Sequence, residues 1–321
     1  MATSVYPAQG GTVDNASAAT FIPEIWSDEI QVEYENNLVA APLVRAMSMT
    51  GKKGDTIHVP SPIRGTATAK AANTAVTIQQ ETEGDIAILI DQHFEYSRLV
   101  EDITKIQAQD SLRQFYTADA GYSLAKQVDT SILERAKYLG DDNGAGTDWV
   151  HSNSFFADAS TGLTAYTADT VVPADVVTKA IILAMIKELD DNDVPMSDRF
   201  WIIPPSVKST MLAITDFVSA DFIDGRPTTN GMFGDIYGTK VLMTNNCPEI
   251  ESAAQNGAAS GGRLVSSLMA HPDAIVLATQ LDVRSQTQYK QEWLSDLFTA
   301  DTIYGVHEMQ KEAGVSLAVN S

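Results

Sequence analysis

The chain has 321 residues, 44% hydrophobic and 20% charged, the composition of a folded globular protein and not of a disordered one. Its 42 acidic against 21 basic side chains give a formal charge of −21, which argues against a surface built to neutralise nucleic-acid phosphates. A single cysteine, Cys247, allows no internal disulfide, and no run of apolar residues is long enough to span a membrane; the first twenty residues lack a secretory signal, so cytoplasmic folding is expected.

Residues 1–20 are small and polar and read as an arm that either dangles or docks on a neighbour. Phe21-Ile22-Pro23-Glu24-Ile25-Trp26 then opens an apolar run in which Trp26, Ile30, Tyr34 and Leu38 fall four apart, the spacing of a short amphipathic helix. Ala41-Pro42-Leu43 changes the chain's direction. Gly51-Lys52-Lys53-Gly54-Asp55 is turn chemistry ahead of the alternating strand Thr56-Ile57-His58-Val59, and strand signals return at Val76-Thr77-Ile78 and Ile86 to Ile90. Between Ser61 and Ala75 there is hardly a large apolar group. Structureless connections longer than about 12–15 residues are uncommon in compact domains unless they do something, and packing on another subunit is one such use. Lys52, Lys53, Arg64 and Lys70 gather on the first half of this excursion, where Asp55 is the sole acid. Two readings stand: a cationic strip that attracts the acidic body of a like molecule, or lysines that keep a strand edge from aggregating.

The stretch from Glu101 to Leu139 holds no proline and one glycine, Gly121, and predicts one continuous or once-bent helix of roughly 55 Å at ~1.5 Å per residue. After Gly121 its apolar stripe is regular: Leu124, Ala125, Val128, Ile132, Ala136 and Leu139. Asp119, Asp129 and Glu134 belong to a mixed charged face that wants water or a charged neighbour. Residues 143–170 read as polar loop, and Pro173 starts a second helix running to about Asp190. Arg199 to Ile203 is a short buried strand ended by Pro204-Pro205, with a helix over 206–214. Gly238 to Thr244, Arg263 to Met269 and Leu281 to Tyr289 are strands, and His271 to Ala278 is a short helix behind Pro272. Thr302 to His307 and Gly314 to Val319 form a hairpin that closes a sheet.

A search for chemistry returns little. The five histidines, His58, His93, His151, His271 and His307, are dispersed without metal-ligand spacing, and the Asp141 and Asp190 clusters lack the spaced ligands and closing Glu of a calcium loop. No phosphate-cradling GxxxxGK[ST], GxGxxG after a strand or GxSxG elbow is present, and Cys247 has no basic neighbour to activate it. No catalytic, metal or cofactor residue is named.

The order of these parts resembles the major capsid protein family of tailed bacteriophages, with the α+β Hong Kong 97-like fold. The resemblance runs from Phe21 to Val319 and is carried by Phe21 to Trp26, Gly51 to Thr56 opening a hairpin, the long helix, Phe200-Trp201-Ile202-Ile203-Pro204-Pro205, and Gly238-Thr239-Lys240-Val241. It implies an N-terminal arm and short helix (1–50), an extended hairpin loop (51–92), a peripheral domain (93–159 and 281–321) on a spine helix (101–139), and an axial domain (160–280), with the C-terminal strands returning mainly to the peripheral sheet. It further implies self-assembly into hexamers and pentamers of an icosahedral shell, assembled in the host cytoplasm and located in the virion. Double-stranded DNA would be enclosed without specific binding. The partners it implies are copies of the chain itself, a separate scaffolding protein, a portal and a decoration protein, with no membrane. The hairpin would lie over an adjacent subunit, making Lys52, Lys53, Arg64 and Lys70 interface residues. Some relatives cross-link a hairpin lysine to a neighbour's asparagine, a role for which Lys70 is the nearest candidate. The alternative within the fold is an encapsulin-like compartment, which needs a cargo-peptide groove. From another class, a soluble α+β hydrolase would keep the hairpin tucked into its own core.

Overall fold

The computed structural model describes residues 39–61, 65, 67–76, 78, 84–102, 112–141, 151–158, 162–165, 177–214, 234–250 and 264–320. The arm, the expected helix over 26–38, Arg64 and Pro173 lie outside the described residues. Described strands are β1 (Arg45–Ser48), β2 (Thr56–Ser61), β3 (Gly84–Leu89), β4 (Gln92–Glu101), β5 (Ser154–Asp158), β6 (Gly162–Ala165), β7 (Phe200–Ile203), β8 (Asp235–Ile236), β9 (Thr239–Met243), β10 (Glu249–Ile250), β11 (Leu264–Ala270), β12 (Ile275–Lys290), β13 (Ser295–Glu308) and β14 (Gly314–Asn320). The described α-helices are α1 (Leu112–Glu134), α2 (Lys179–Asp191) and α3 (Pro205–Met211). The chain divides into a smaller unit, residues 1–37, 94–124 and 283–302, and a larger one, residues 38–93, 125–282 and 303–321.

In the smaller unit, alternation along β4 sends Phe94 and Tyr96 inward against Val283, Phe298, Ala300 and the α1 residues Ala120 and Leu124. The Tyr96 and Phe298 rings meet edge to face with centroids 6.4 Å apart, and the Tyr96 hydroxyl donates to Asp119 Oδ2 at 2.6 Å. That hydrogen bond satisfies one carboxylate of the mixed helical face. Arg284 on β12 grips Asp301 on β13 through two hydrogen bonds, 3.0 and 2.7 Å.

The larger unit is built on a sheet in the order β6-β5-β14-β11-β7-β9-β8, with β10 on β11. All seven residues of β11 and all four of β7 are buried, which is why both read as continuous apolar runs and not as alternating strands. Inside this sheet the polar groups pair off. Trp201 Nε1 donates to Ser267 Oγ at 2.6 Å, and Ser267 Oγ donates to the Ile202 carbonyl. The second half of α1 buries Ala125, Val128, Ile132 and Leu133, and Ala136 and Leu139 beyond it are buried too, as the stripe predicts. Asp129 departs from the expected solvent-facing role. It is fully buried, and its carboxylate accepts the backbone N–H groups of Val39 (2.9 Å) and Ala40 (3.1 Å) at the head of the 3-10 turn Ala41–Leu43, which has no side-chain cap of its own. Burial raises the Asp129 pKa, and hydrogen bonds from the Val39, Ala40 and Ala41 backbone and from Asn246 pull against that rise.

Several expectations need correcting. Glu101 ends β4 and Asp102 is already helical; the helix is described again over Leu112–Glu134 and tightens into a 3-10 turn over Arg135–Tyr138. The period-two pattern of Phe94 and Tyr96 carries the strand as far as Glu101. Within 143–170, β5 and β6 pair, and β5 also pairs in parallel with the distant β14, a partner no local window contains. Helix α2 starts after Thr178, so buried Val177 precedes it. His271–Ala278 is no helix: Pro272 and Asp273 turn the chain, and Ile275 to Ala278 enter β12, where β1 pairs with residues 276–279. The tail is no single hairpin either, because β13 lies beside β12 and β4 while β14 lies between β11 and β5.

One close approach fixes the root of the hairpin. A side-chain carbon on Gly305 would press on the Leu89 carbonyl and lie 2.9 Å from Ile90 Cα. Gly305→Ala is expected to cost about 1–3 kcal/mol through overpacking, read as a lowered urea midpoint by far-ultraviolet circular dichroism.

Candidate assembly surface

The hairpin leaves the body through a turn that requires glycine, with φ +77° at Gly51 and +139° at Gly54. Gln280 Nε2 donates to the Gly54 carbonyl at 2.8 Å, and Ile90 N donates to the Asp55 carbonyl at 2.8 Å, tying both ends of the excursion down. Strands β2 and β3 pair antiparallel from Thr56↔Leu89 to Ser61↔Gly84. Their inner face, Ile57, Val59, Ile86 and Ile88, packs with Met49, Ile90, Val276 and Ala278. The outer face carries exposed His58, Pro60, Asp85, Ala87 and Leu89, with His58 Nδ1 bonded to Asp85 Oδ2.

Beyond the ladder the connection is open. Among its described residues none is in a strand, and the strand expected at Val76 to Ile78 is not formed: Val76 is 70% and Ile78 86% exposed. Two β-branched side chains lie in solvent, beyond Ser61↔Gly84, the last rung among the described residues. Of the four basic residues singled out from the sequence, Lys52 and Lys53 sit exposed on the turn at the root, Lys70 is exposed in the connection, and Arg64 lies outside the described residues. The structure thus brings Lys52 and Lys53 together at the root.

Two features escaped the sequence reading. The first is a cleft of about 450 Å³ beside the hairpin root, with Met47, Met49 and Ile57 as its apolar lining and Lys52 and His58 among its polar residues. The second, in the smaller unit, is the turn joining β12 to β13, where Trp293 and Leu294 are 46% and 66% exposed. An aromatic next to a leucine inside a polar turn was the available signal.

Chemistry is sparse here. Among the described residues no group of three or more His, Cys, Asp and Glu side chains is placed to hold a metal. Cys247 is buried, and burial pushes its thiol up to about 12, so the thiolate nucleophile is suppressed.

A family model described as phage capsid protein matches residues 41–320. The fold is similar to that of a structure from Mycobacterium phage Che8 (19% identity, TM-score 0.64, covering 88% of this chain and 90% of that one). It is also similar to the Cyanophage Pam1 capsid asymmetric unit (10% identity, TM-score 0.65, 100% and 99% covered) and to a virus-like particle from Pyrococcus furiosus (10% identity, TM-score 0.55, 92% and 98% covered). No curated protein sequence matches. At these identities the structural likenesses establish the Hong Kong 97-like fold.

The state of Cys247 is directly measurable. A maleimide added to the native protein at neutral pH is expected to leave Cys247 unmodified, and to label it fully in denaturant, by intact mass; rapid native labelling would contradict the burial.

Proposed function

The chain belongs to the phage capsid protein family, matched from residue 41 to residue 320, and we propose that its copies assemble into the hexamers and pentamers of an icosahedral shell around double-stranded DNA. As a member of that family it is a major capsid protein, a structural component of the virion and not an enzyme. The observation that supports the assembly reading is the hairpin: firmly rooted at Gly54, Ile90 and Gly305, yet carrying Val76 and Ile78 unburied beyond its last rung. Leaving such side chains in water forgoes most of their transfer free energy, and a neighbouring copy supplies the missing cover.

On this reading residues 51–92 are the extended loop that lies over the next subunit. Residues 93–159 and 281–321 form the peripheral part, 160–280 the axial part, and 1–50 the arm and its short helix. Lys52, Lys53, Arg64 and Lys70 meet acidic surface on the neighbour, which the net charge of −21 makes plentiful. Each exposed pair is worth only about 0.2–1 kcal/mol, so the contacts act through repetition around the shell. DNA is enclosed without specific binding, in keeping with the net charge of −21. A separate scaffolding protein, a portal and a decoration protein complete the set of partners, with assembly in the host cytoplasm. The family match favours this phage coat over an encapsulin-like compartment.

Reversing the two charges that the sequence places between β2 and β3 tests the assignment. The double variant Arg64→Glu, Lys70→Glu is expected to keep the parent's circular dichroism and melting temperature while the yield of particles, by light scattering and negative-stain microscopy, falls several-fold. Unchanged yield removes these side chains from the interface, and a parent chain that stays monomeric under every assembly condition removes the shell.

A further inference from the structure

We propose that the β12–β13 turn of one copy seats Trp293 in the cleft at the hairpin root of a second copy. The proposal rests on the assembly reading above and names the partner surface of that same root.

The turn is built to present its side chain. Trp293 N donates to the Lys290 carbonyl at 3.1 Å, Ser295 Oγ donates to the Trp293 carbonyl at 2.6 Å, and the Leu294 carbonyl accepts the Asp102 N–H at 3.0 Å. Leu294 itself holds φ +44°, a left-handed conformation that costs a branched side chain free energy and persists only where its surroundings impose it. Tyr289 adds a further tie, its hydroxyl donating to Asp102 Oδ2 at 2.7 Å. The backbone of the turn is therefore fixed in the free chain while the indole is nearly half exposed, so little ordering entropy remains to be lost on docking.

The cleft has the complementary character. At about 450 Å³ it has room for a large side chain, and its lining by Met47, Met49 and Ile57 is apolar. Methionine is adaptable and favours contact with an aromatic ring, and tryptophan is the side chain most enriched at the energetic centres of interfaces. Charge agrees. Lys52 lines the cleft with Lys53 beside it, and of the two acids nearby, Asp55 and Asp85, the latter is engaged by His58. The turn presents Glu292 and Asp296 on either side of Trp293 and Leu294, with Lys290 at its base. Knob and hole are different patches of the same chain, so a contact made once per pair of copies is heterologous, the kind that propagates into rings and arrays.

The test uses the full chain with single cysteines. Ser48→Cys borders the cleft and Leu294→Cys lies on the turn, while native Cys247 is buried and inert. The two variants are co-assembled and treated with a short bismaleimide. A cross-linked dimer joining position 48 to position 294, identified by peptide mass, is expected in the mixture, and adding Trp293→Ala to the Leu294→Cys copy should reduce it at least tenfold. Lys52→Glu on one copy and Glu292→Lys on the other should each lower the yield several-fold and together restore it. Shells that form normally yet give no such dimer, or a dimer indifferent to Trp293→Ala, overturn this inference and leave the coat-protein reading intact. Failure of the parent to form particles under any condition, with no dimer, overturns both.

Discussion

The approach of the β2–β3 ladder to the strand carrying Gly305 is the contact that holds the hairpin to the larger unit. With no side chain at position 305, the Leu89 carbonyl and the Ile90 backbone come against β13 directly, and Ile88 and Ile90 are drawn into the cluster formed by Met49, Val276 and Ala278. A rooted ladder of six residue pairs then carries a connection whose described residues are all exposed. Local rigidity at the root and absence of burial beyond it are two consequences of one distribution of apolar residues. Ile57, Val59, Ile86 and Ile88 alternate inward, whereas Ser61 to Ala75 offers almost nothing to bury.

Asp129 does a comparable job at Val39 and Ala40. A carboxylate buried on a helix is costly unless hydrogen-bonded, and this one is compensated by the N–H groups of Val39 and Ala40, donors that the 3-10 turn leaves without partners of their own. The helix therefore provides both an apolar stripe and an anchor for a segment 90 residues earlier in sequence. Tyr304 on β13 adds a second polar tie to α1 through Ser131, at 3.0 Å, with its phenol pushed up to about 12 by burial.

How much of this could be read from the sequence follows from where each interaction is encoded. The α1 stripe after Gly121, the continuous apolar run of β7 and the alternating face of β2 are set by neighbours a few residues away, and these were legible. Strand β5 depends on β14, and the opening of β12 depends on β1; Pro272 ahead of Ile275 to Ala278 imitates a helix start until that parallel partner is supplied. Asp129 looked like surface because its partners lie so far away in sequence. The same division governs the candidate interface. The exposed lysines at 52 and 53 are visible as composition, whereas the cleft behind them is made by Met47 and Met49 meeting Ile57, a tertiary event.

Charge and apolar contact have opposite reach, and that difference decides how copies of such a chain associate. At −21 each, two copies repel as wholes, but at physiological ionic strength the repulsion fades over about 8 Å. Within that distance the local pattern governs: a lysine pair at the hairpin root, and a connection with two unburied β-branched residues. Exposed ion pairs weaken further as salt rises, while apolar burial does not. Moderate salt therefore removes more of the general repulsion than of the specific attraction. On the assembly proposed above, the net charge keeps separate copies apart and the burial of Val76 and Ile78 against a neighbour holds joined ones together.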